Sequence, residues 1–178
     1  YDRRVYFGYE KPQADYQLKF GPNIAEWPEI PALADNMLMQ VASVLRDPVT
    51  TTDELIPSGE TSSYRSNPMK LASFALSRRD PDYVPRALAT QEMEKTRQTG
   101  TAAPAVKAAL NALGLAEDTL ATTQIGSVLF ANKPGDGSAR EQAASCQRVL
   151  GGMANICYEF ATKRYRSNCI NWGILPFT

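Results

Sequence analysis

The final third of the chain alternates short apolar runs with amphipathic helical stretches, and this alternation constrains the fold more than any other feature. Ile125 to Ala131 is an apolar run bounded by turn residues, which reads as a buried strand. A predicted helix over 139–150 puts Ala139, Ala143, Cys146 and Leu150 on one stripe, and Gly151-Gly152 ends it. Met153 to Tyr158 reads as a second strand. A predicted helix over 160–172 aligns Ala161, Tyr165, Cys169 and Trp172 and stops at Gly173, and Ile174 to Phe177 is a last short strand. Strand, helix, strand, helix, strand is the pattern of parallel strands joined by helical crossovers, so the fold class is α/β. Ligands of such sheets bind in the loops beyond the strands' carboxyl ends, which is where the glycine-rich turn 132–138 falls.

The earlier two thirds are less periodic. Residues 1–35 concentrate aromatics and prolines. Tyr1, Tyr6, Phe7, Tyr9, Tyr16, Phe20 and Trp27 suggest an extended lead-in packed on a body at 36–178, and Pro22, Pro28 and Pro31 exclude a helix there. A first strand is predicted over 37–45, ending at Asp47-Pro48, and a long polar loop over 46–68. The stretch 69–77 is apolar enough to be buried. Residues 78–104 read as a surface excursion with a short helix around 87–97. Pro104 opens a helix with Val106, Leu110 and Leu113 on one face, stopped by Gly114.

Composition narrows the chemistry. The chain's 178 residues, 43% of them apolar, suffice for a real core. Nineteen basic and nineteen acidic side chains cancel, so no global field favours nucleic acid or an anionic membrane, and no apolar run reaches a membrane span. The absence of histidine removes Ser-His-Asp and Cys-His catalysis and every histidine metal site within this chain. Cys146, Cys157 and Cys169 are odd in number and widely spaced. They read as free buried thiols of a protein in a reducing, cytoplasmic compartment rather than as a metal site. The start at Tyr1, with no signal-peptide pattern, predicts a piece of something larger.

The chemistry concentrates at Gly135-Asp136-Gly137-Ser138-Ala139-Arg140-Glu141. Two glycines free the backbone, and a helix then begins beside a hydroxyl and a guanidinium, an arrangement suited to a carboxylate or phosphate. The bland alternative is a capping box in which Ser138 and Glu141 satisfy each other's backbone N–H groups. No Lys-Ser/Thr follows the glycines, which disfavours a phosphate-binding P-loop. The polar loop adds Asp53 and Arg65, either a surface charge pair or part of the same site. In the second case Arg65 and Arg140 are two forks for a substrate with several carboxylates.

The ten residues Gly135 to Ala144, then Leu150-Gly151-Gly152, Phe160-Ala161, Asn168 and Gly173-Ile174-Leu175-Pro176, resemble the C-terminal swivel domain of aconitases. The family pattern there is Gly-x-Gly-Ser-Ser-Arg-Glu-His-Ala-Ala, Leu-Gly-Gly, Ser-Phe-Ala-Arg-Ile, Asn-Leu and Gly-Leu-Leu-Pro. Thr51 to Gly59 is similar to the family's Thr-Thr-Asp-His-Ile-Ser-Ala-Gly, and Tyr64-Arg65 falls where the family has its substrate arginine. The resemblance spans roughly residues 45–178. It implies a swivelling β/β/α domain of a hydro-lyase that interconverts citrate and isocitrate. The [4Fe–4S] cluster is then expected in cluster-bearing domains outside this chain, with no cofactor in the chain itself. It further implies Ser138 as the base, Arg65 and Arg140 as carboxylate clamps, the Ala139 backbone N–H as a substrate contact, and Asp53 as a supporting residue. The small subunit of an isopropylmalate-dehydratase-like enzyme is the close relative, and a non-catalytic carboxylate-binding module is the other alternative. The chain departs from the pattern at Ala139, Glu54 and Gln142, which stand where the family has serine and two histidines.

Overall fold

The computed structural model describes residues 8–15 and 17–178, so the lead-in residues Tyr1, Tyr6, Phe7 and Tyr16 lie outside the described residues. The main sheet has four parallel strands, β1 (Asn36–Leu45), β3 (Thr123–Ala131), β5 (Gly152–Cys157) and β6 (Leu175–Phe177), in the order β1-β3-β5-β6. A second, two-stranded parallel sheet pairs β2 (Thr50–Thr51) with β4 (Pro134–Asp136). Each crossover steps one strand further in the same direction. Right-handed connections therefore bring the helices to one face of the main sheet. The principal core lies on that face: Ala42, Leu45, Leu129 and Ala131 of the sheet pack with Leu71, Ala87, Cys146, Leu150 and Tyr165. On the other face Val44, Phe130, Ile156 and Phe177 form one row across all four strands, and Val44, Ile156 and Phe177 are exposed. No described helix is long and apolar enough to cross a membrane.

The predicted α/β alternation of the last third is present. α5 (Arg140–Val149) buries Ala143, Cys146 and Val149, and α6 (Lys163–Asn171) buries Tyr165 and Cys169. α6 starts three residues later than its apolar stripe suggested because the Thr162 hydroxyl caps it, accepting from the Tyr165 N–H at 3.2 Å. α4 (Pro104–Leu113) begins at its proline and ends at Gly114 in the left-handed region (φ 68°). Val106 and Leu110 are buried there, but Leu113, expected on the same face, is exposed.

Two sequence expectations fail between residues 46 and 104. The supposed loop contains β2, the one-turn helix α1 (Thr52–Leu55) and the start of α2 (Pro68–Ala72), with Thr50, Thr52, Leu55 and Ile56 buried. The supposed surface excursion contains the longest helix of the described residues, α3 (Tyr83–Gln98), packed on β1 and β3. Its buried stripe is Tyr83, Ala87, Thr90 and Glu94. That stripe is half polar, so no apolar period announces it. The docking contacts are polar as well: Arg86 Nε donates to the Ala42 carbonyl at 2.6 Å, and Thr90 Oγ1 to Gln40 Oε1 at 3.2 Å.

Glu94 is the centre of this docking. Its carboxylate accepts from Arg97 Nε and Nη2 at 2.8 Å each, from the Ile125 N–H at 2.8 Å, and from Gln98 Nε2 at 3.1 Å. Burial pushes the Glu94 carboxyl up, but these donors and the Arg97 charge outweigh it and hold the group below the ordinary glutamate value. A depressed carboxylate pKa contributes stability above the unfolded-state value, and this contribution is lost as pH falls through the folded value. Glu94→Ala is expected to lower unfolding free energy by about 2–3 kcal/mol in urea denaturation at neutral pH. Glu94→Gln should lose less stability than the parent when the pH is taken below about 4.5.

Candidate functional site

The loops that leave the carboxyl ends of the main sheet start from one register row. Leu45, Ala131 and Cys157 are paired neighbours at the ends of β1, β3 and β5. Asn132 ties the three loops together. Its Nδ2 donates to the Arg46 carbonyl at 2.8 Å, and its own carbonyl accepts from the N–H groups of Tyr158 and Glu159 at 3.2 and 3.3 Å. The Thr50 N–H donates to the Lys133 carbonyl at 2.9 Å and leads into the β2–β4 pairing, in which Thr51 lies opposite Asp136. Thr52 and Asp53 are thereby carried to the turn that bears Gly137 and Ser138.

Two close approaches set the path of that turn. Gly135 has φ 95°, and a Cβ there would enter the Tyr165 ring. Gly137 has φ 126°, and a Cβ there would meet the Thr52 hydroxyl. Both positions suit glycine alone, by conformation and by space. The amino end of α6 holds the turn from behind. The Ala161 N–H donates to the Pro134 carbonyl at 2.9 Å and Thr162 Oγ1 to the Gly135 carbonyl at 3.1 Å. Tyr165 is itself fixed, since its hydroxyl accepts from Gln147 Nε2 at 2.9 Å and Asn155 Nδ2 at 3.1 Å.

Ser138 is exposed on this turn, one residue before Ala139, the N-cap residue of α5. The Ser138–Glu141 capping box is not formed, and no side chain caps α5. Glu141 turns instead toward α6, where it accepts from Trp172 Nε1 at 2.5 Å and from Asn168 Nδ2. The first N–H groups of α5 are therefore free for another acceptor, at the positive end of a ten-residue helix. Arg140 opens the helix, and its Nε is buried with no hydrogen-bond partner among the described residues. The capping box occurs instead at Thr51 and Glu54, whose Thr-x-x-Glu spacing is the same signal. Glu54 is raised by burial but lowered on balance, by the Thr51 N–H and hydroxyl and by Arg79.

Asp53 and Arg65 do not pair. Asp53 binds Arg78, which also reaches Glu60. The sequence reading passed over Arg78, and the Arg78-Arg79 pair at the start of a charged stretch was the only signal for it. Arg65 follows a 3-10 turn (Ser62–Tyr64) and forms no salt bridge among the described residues. It lines a cleft of about 190 Å³ with Glu141 and Gln142 of α5's first turn. Ser138 and Arg140 are near neighbours in the chain and Asp53 follows the β2–β4 pairing, while the cleft that Arg65 lines reaches Glu141 and Gln142 but not Ser138, Arg140 or Asp53.

The cysteines do not fit an iron–sulfur cluster. All three are buried free thiols, and no group of ligand residues able to hold a metal is present among the described residues. Burial pushes Cys146 up to about 12 and Cys157 and Cys169 up to about 11, which opposes the thiolate form that ligation requires.

Among protein-family models, the one described as the aconitase C-terminal domain matches residues 86–178, just over half of the chain. The matched region holds the Gly135–Arg140 turn, α5 and α6, while Asp53, Arg65 and Trp27 lie before it. A search of curated proteins gives no match.

Gly135→Ala is expected to destabilise the chain by about 2–4 kcal/mol, because the turn and the Tyr165 ring cannot both keep their places. Chemical denaturation measures the loss, and a near-ultraviolet circular dichroism change would report the displaced tyrosine.

Proposed function

Because this chain belongs to the family of aconitase C-terminal domains, we propose that it is the swivelling domain of an aconitase-type hydro-lyase. The domain contributes a base and carboxylate clamps to a cleft completed by other domains or subunits. The family implies such partners, and here they are the cluster-bearing ones. The isopropylmalate-dehydratase small subunit shares this family-level architecture. The substrate class is a hydroxy acid with at least two carboxylates, citrate and isocitrate being the aconitase pair. The observation that carries the reading is the open amino end of α5 beside Ser138. The hydroxyl is exposed there, the capping box that would have occupied it is absent, and Arg140 follows two residues later.

In the proposed reaction Ser138 Oγ, as its anion, takes the proton from the carbon next to a substrate carboxylate. A serine hydroxyl is a poor base unless its anion is stabilised. The positive end of α5 and the Arg140 guanidinium supply that stabilisation at fixed positions. Arg140 and Arg65 hold carboxylates, and fixed geometry converts the proton transfer into an effectively intramolecular step. The Ala139 backbone N–H stands in for the side-chain donor that the family's second serine supplies. Asp53 has a supporting part, holding Arg78 against α1 and so the wall opposite Gly137. Departure of the hydroxyl is assigned to the cluster-bearing part of the enzyme, since the cysteines here do not fit that group. The unpaired buried thiols support a reducing, cytoplasmic setting.

In the complete enzyme, Ser138→Ala is expected to lower kcat by about 10²–10⁴-fold with KM little changed. Arg65→Lys or Arg140→Lys should raise KM about tenfold or more, because an ammonium cannot form the bidentate pair. Steady-state hydration kinetics with the cluster-bearing portion present decide this, and undiminished turnover by Ser138→Ala refutes the role of the serine.

A further inference from the structure

Two donors from the end of α6 hold Glu141 away from the turn that bears Ser138. Trp172 Nε1 donates to Glu141 Oε1 at 2.5 Å and Asn168 Nδ2 donates to Oε2, so each carboxylate oxygen has a partner. A second position is open to this side chain. Ser138-x-x-Glu141 has the spacing of Thr51-x-x-Glu54, where the glutamate does fold back and accepts from the Thr51 N–H at 2.7 Å. Glu141 is exposed, so hydrogen bonds rather than burial decide between the two positions. Released from α6, it is a carboxylate in the first turn of α5, and that helix's own free N–H groups attract it.

One of the two donors is itself held from outside α6. The Trp172 indole stacks on Trp27, with ring centroids 4.9 Å apart and 28° between the planes. Trp27 belongs to the lead-in, before the part that matches the family. Its segment is pinned at three points: the Ala25 N–H donates to the Ser66 carbonyl at 2.9 Å, Arg148 Nη2 to the Pro31 carbonyl at 2.5 Å, and the Ala34 N–H to Gln124 Oε1 at 3.2 Å. Trp172 is thereby fixed between Trp27 on one side and the principal core on the other. We propose that Trp27 is a positioning residue: by stacking on Trp172 it keeps the indole N–H on Glu141, and so keeps that carboxylate off the amino end of α5. The proposal rests on the reading of Ser138 as the base. A carboxylate folded back onto α5 would occupy the donors there and set a negative charge beside the serine, which disfavours the serine anion.

The test combines kinetics of the complete enzyme with hydrogen exchange of the indole N–H groups. Trp27→Ala removes the stack, and Trp172→Phe keeps a ring but removes the Nε1 donor. Trp27 is half exposed, so Trp27→Ala should keep the far-ultraviolet circular dichroism of the parent. Each substitution is expected to lower kcat about fivefold or more, and Trp27→Phe, which still stacks, should restore most of the loss. In a Glu141→Ala background neither substitution should lower kcat further, whereas a tryptophan that only stabilised the fold would lower it in both backgrounds. Trp27 and Trp172 are the only tryptophans, so the Trp172 indole N–H is identified by its loss in Trp172→Phe. Its exchange with solvent, followed by nuclear magnetic resonance, should quicken in Trp27→Ala and in Glu141→Ala alike. Unchanged kcat in both tryptophan variants, losses that persist without Glu141, or an indole exchange rate indifferent to Trp27→Ala would overturn the proposal. Full turnover by Ser138→Ala overturns the reading beneath it, and the exchange rates then still judge the hold on Glu141. Loss of turnover by Ser138→Ala with none of the tryptophan effects overturns the positioning role alone.

Discussion

The pairing of β2 with β4 is the contact on which the site depends. It has only two paired positions, yet it joins a segment near residue 50 to one near residue 135. It works because two glycines let the second segment pass within contact distance of Thr52 on one side and of Tyr165 on the other. The main sheet supplies the frame. Leu45, Ala131 and Cys157 end on one row, so the loops that follow have no choice but to meet. Asn132 and the amino end of α6 then hold them, by the backbone N–H groups of Tyr158, Glu159 and Ala161 and by the side chains of Asn132 and Thr162.

Electrostatics at the site follow from which charges found partners. Arg78 and Arg79 are saturated by Asp53, Glu60, Glu54 and Asp47. Arg97 is held by Glu94 near the amino end of β3, at the opposite end of the strands. Arg65 forms no such pair among the described residues, and the Nε of Arg140 has no partner there. Glu141 would have closed the amino end of α5 had it folded back on Ser138. Its engagement with Trp172 and Asn168 leaves that end open.

The structure was legible where apolar spacing and the secondary elements agreed. The three late strands, α5 and α6 follow from stripes such as Ala143, Cys146 and Tyr165, Cys169, and their parallel arrangement follows from the alternation. Only the middle of α3 was legible, as a short surface helix around 87–97; its full length Tyr83–Gln98 and its burial were not, because its buried face is Thr90 and Glu94 as much as Ala87. Hydrogen-bonded polar groups replace apolar contact there and leave no period in the sequence. The one-turn helix α1 was signalled by Thr51-x-x-Glu54, but the same pattern at Ser138-x-x-Glu141 was equally visible and is not realised. Local spacing says that a cap is available. A competing donor far away in the chain decides whether it is used.

The amino-acid order by itself determined the α/β class, the glycine-led turn, and the presence of a serine and two arginines in a family-like arrangement. These depend on period, backbone freedom and residue type, all of which are local. Tertiary structure alone decided that Asp53 turns to Arg78, that Glu141 leaves the amino end of α5 open, and that Trp27 closes the cleft beside Arg65. Each of these is a choice among partners tens of residues away. Such a choice is settled by which groups the packed sheet and helices bring within hydrogen-bonding or van der Waals reach.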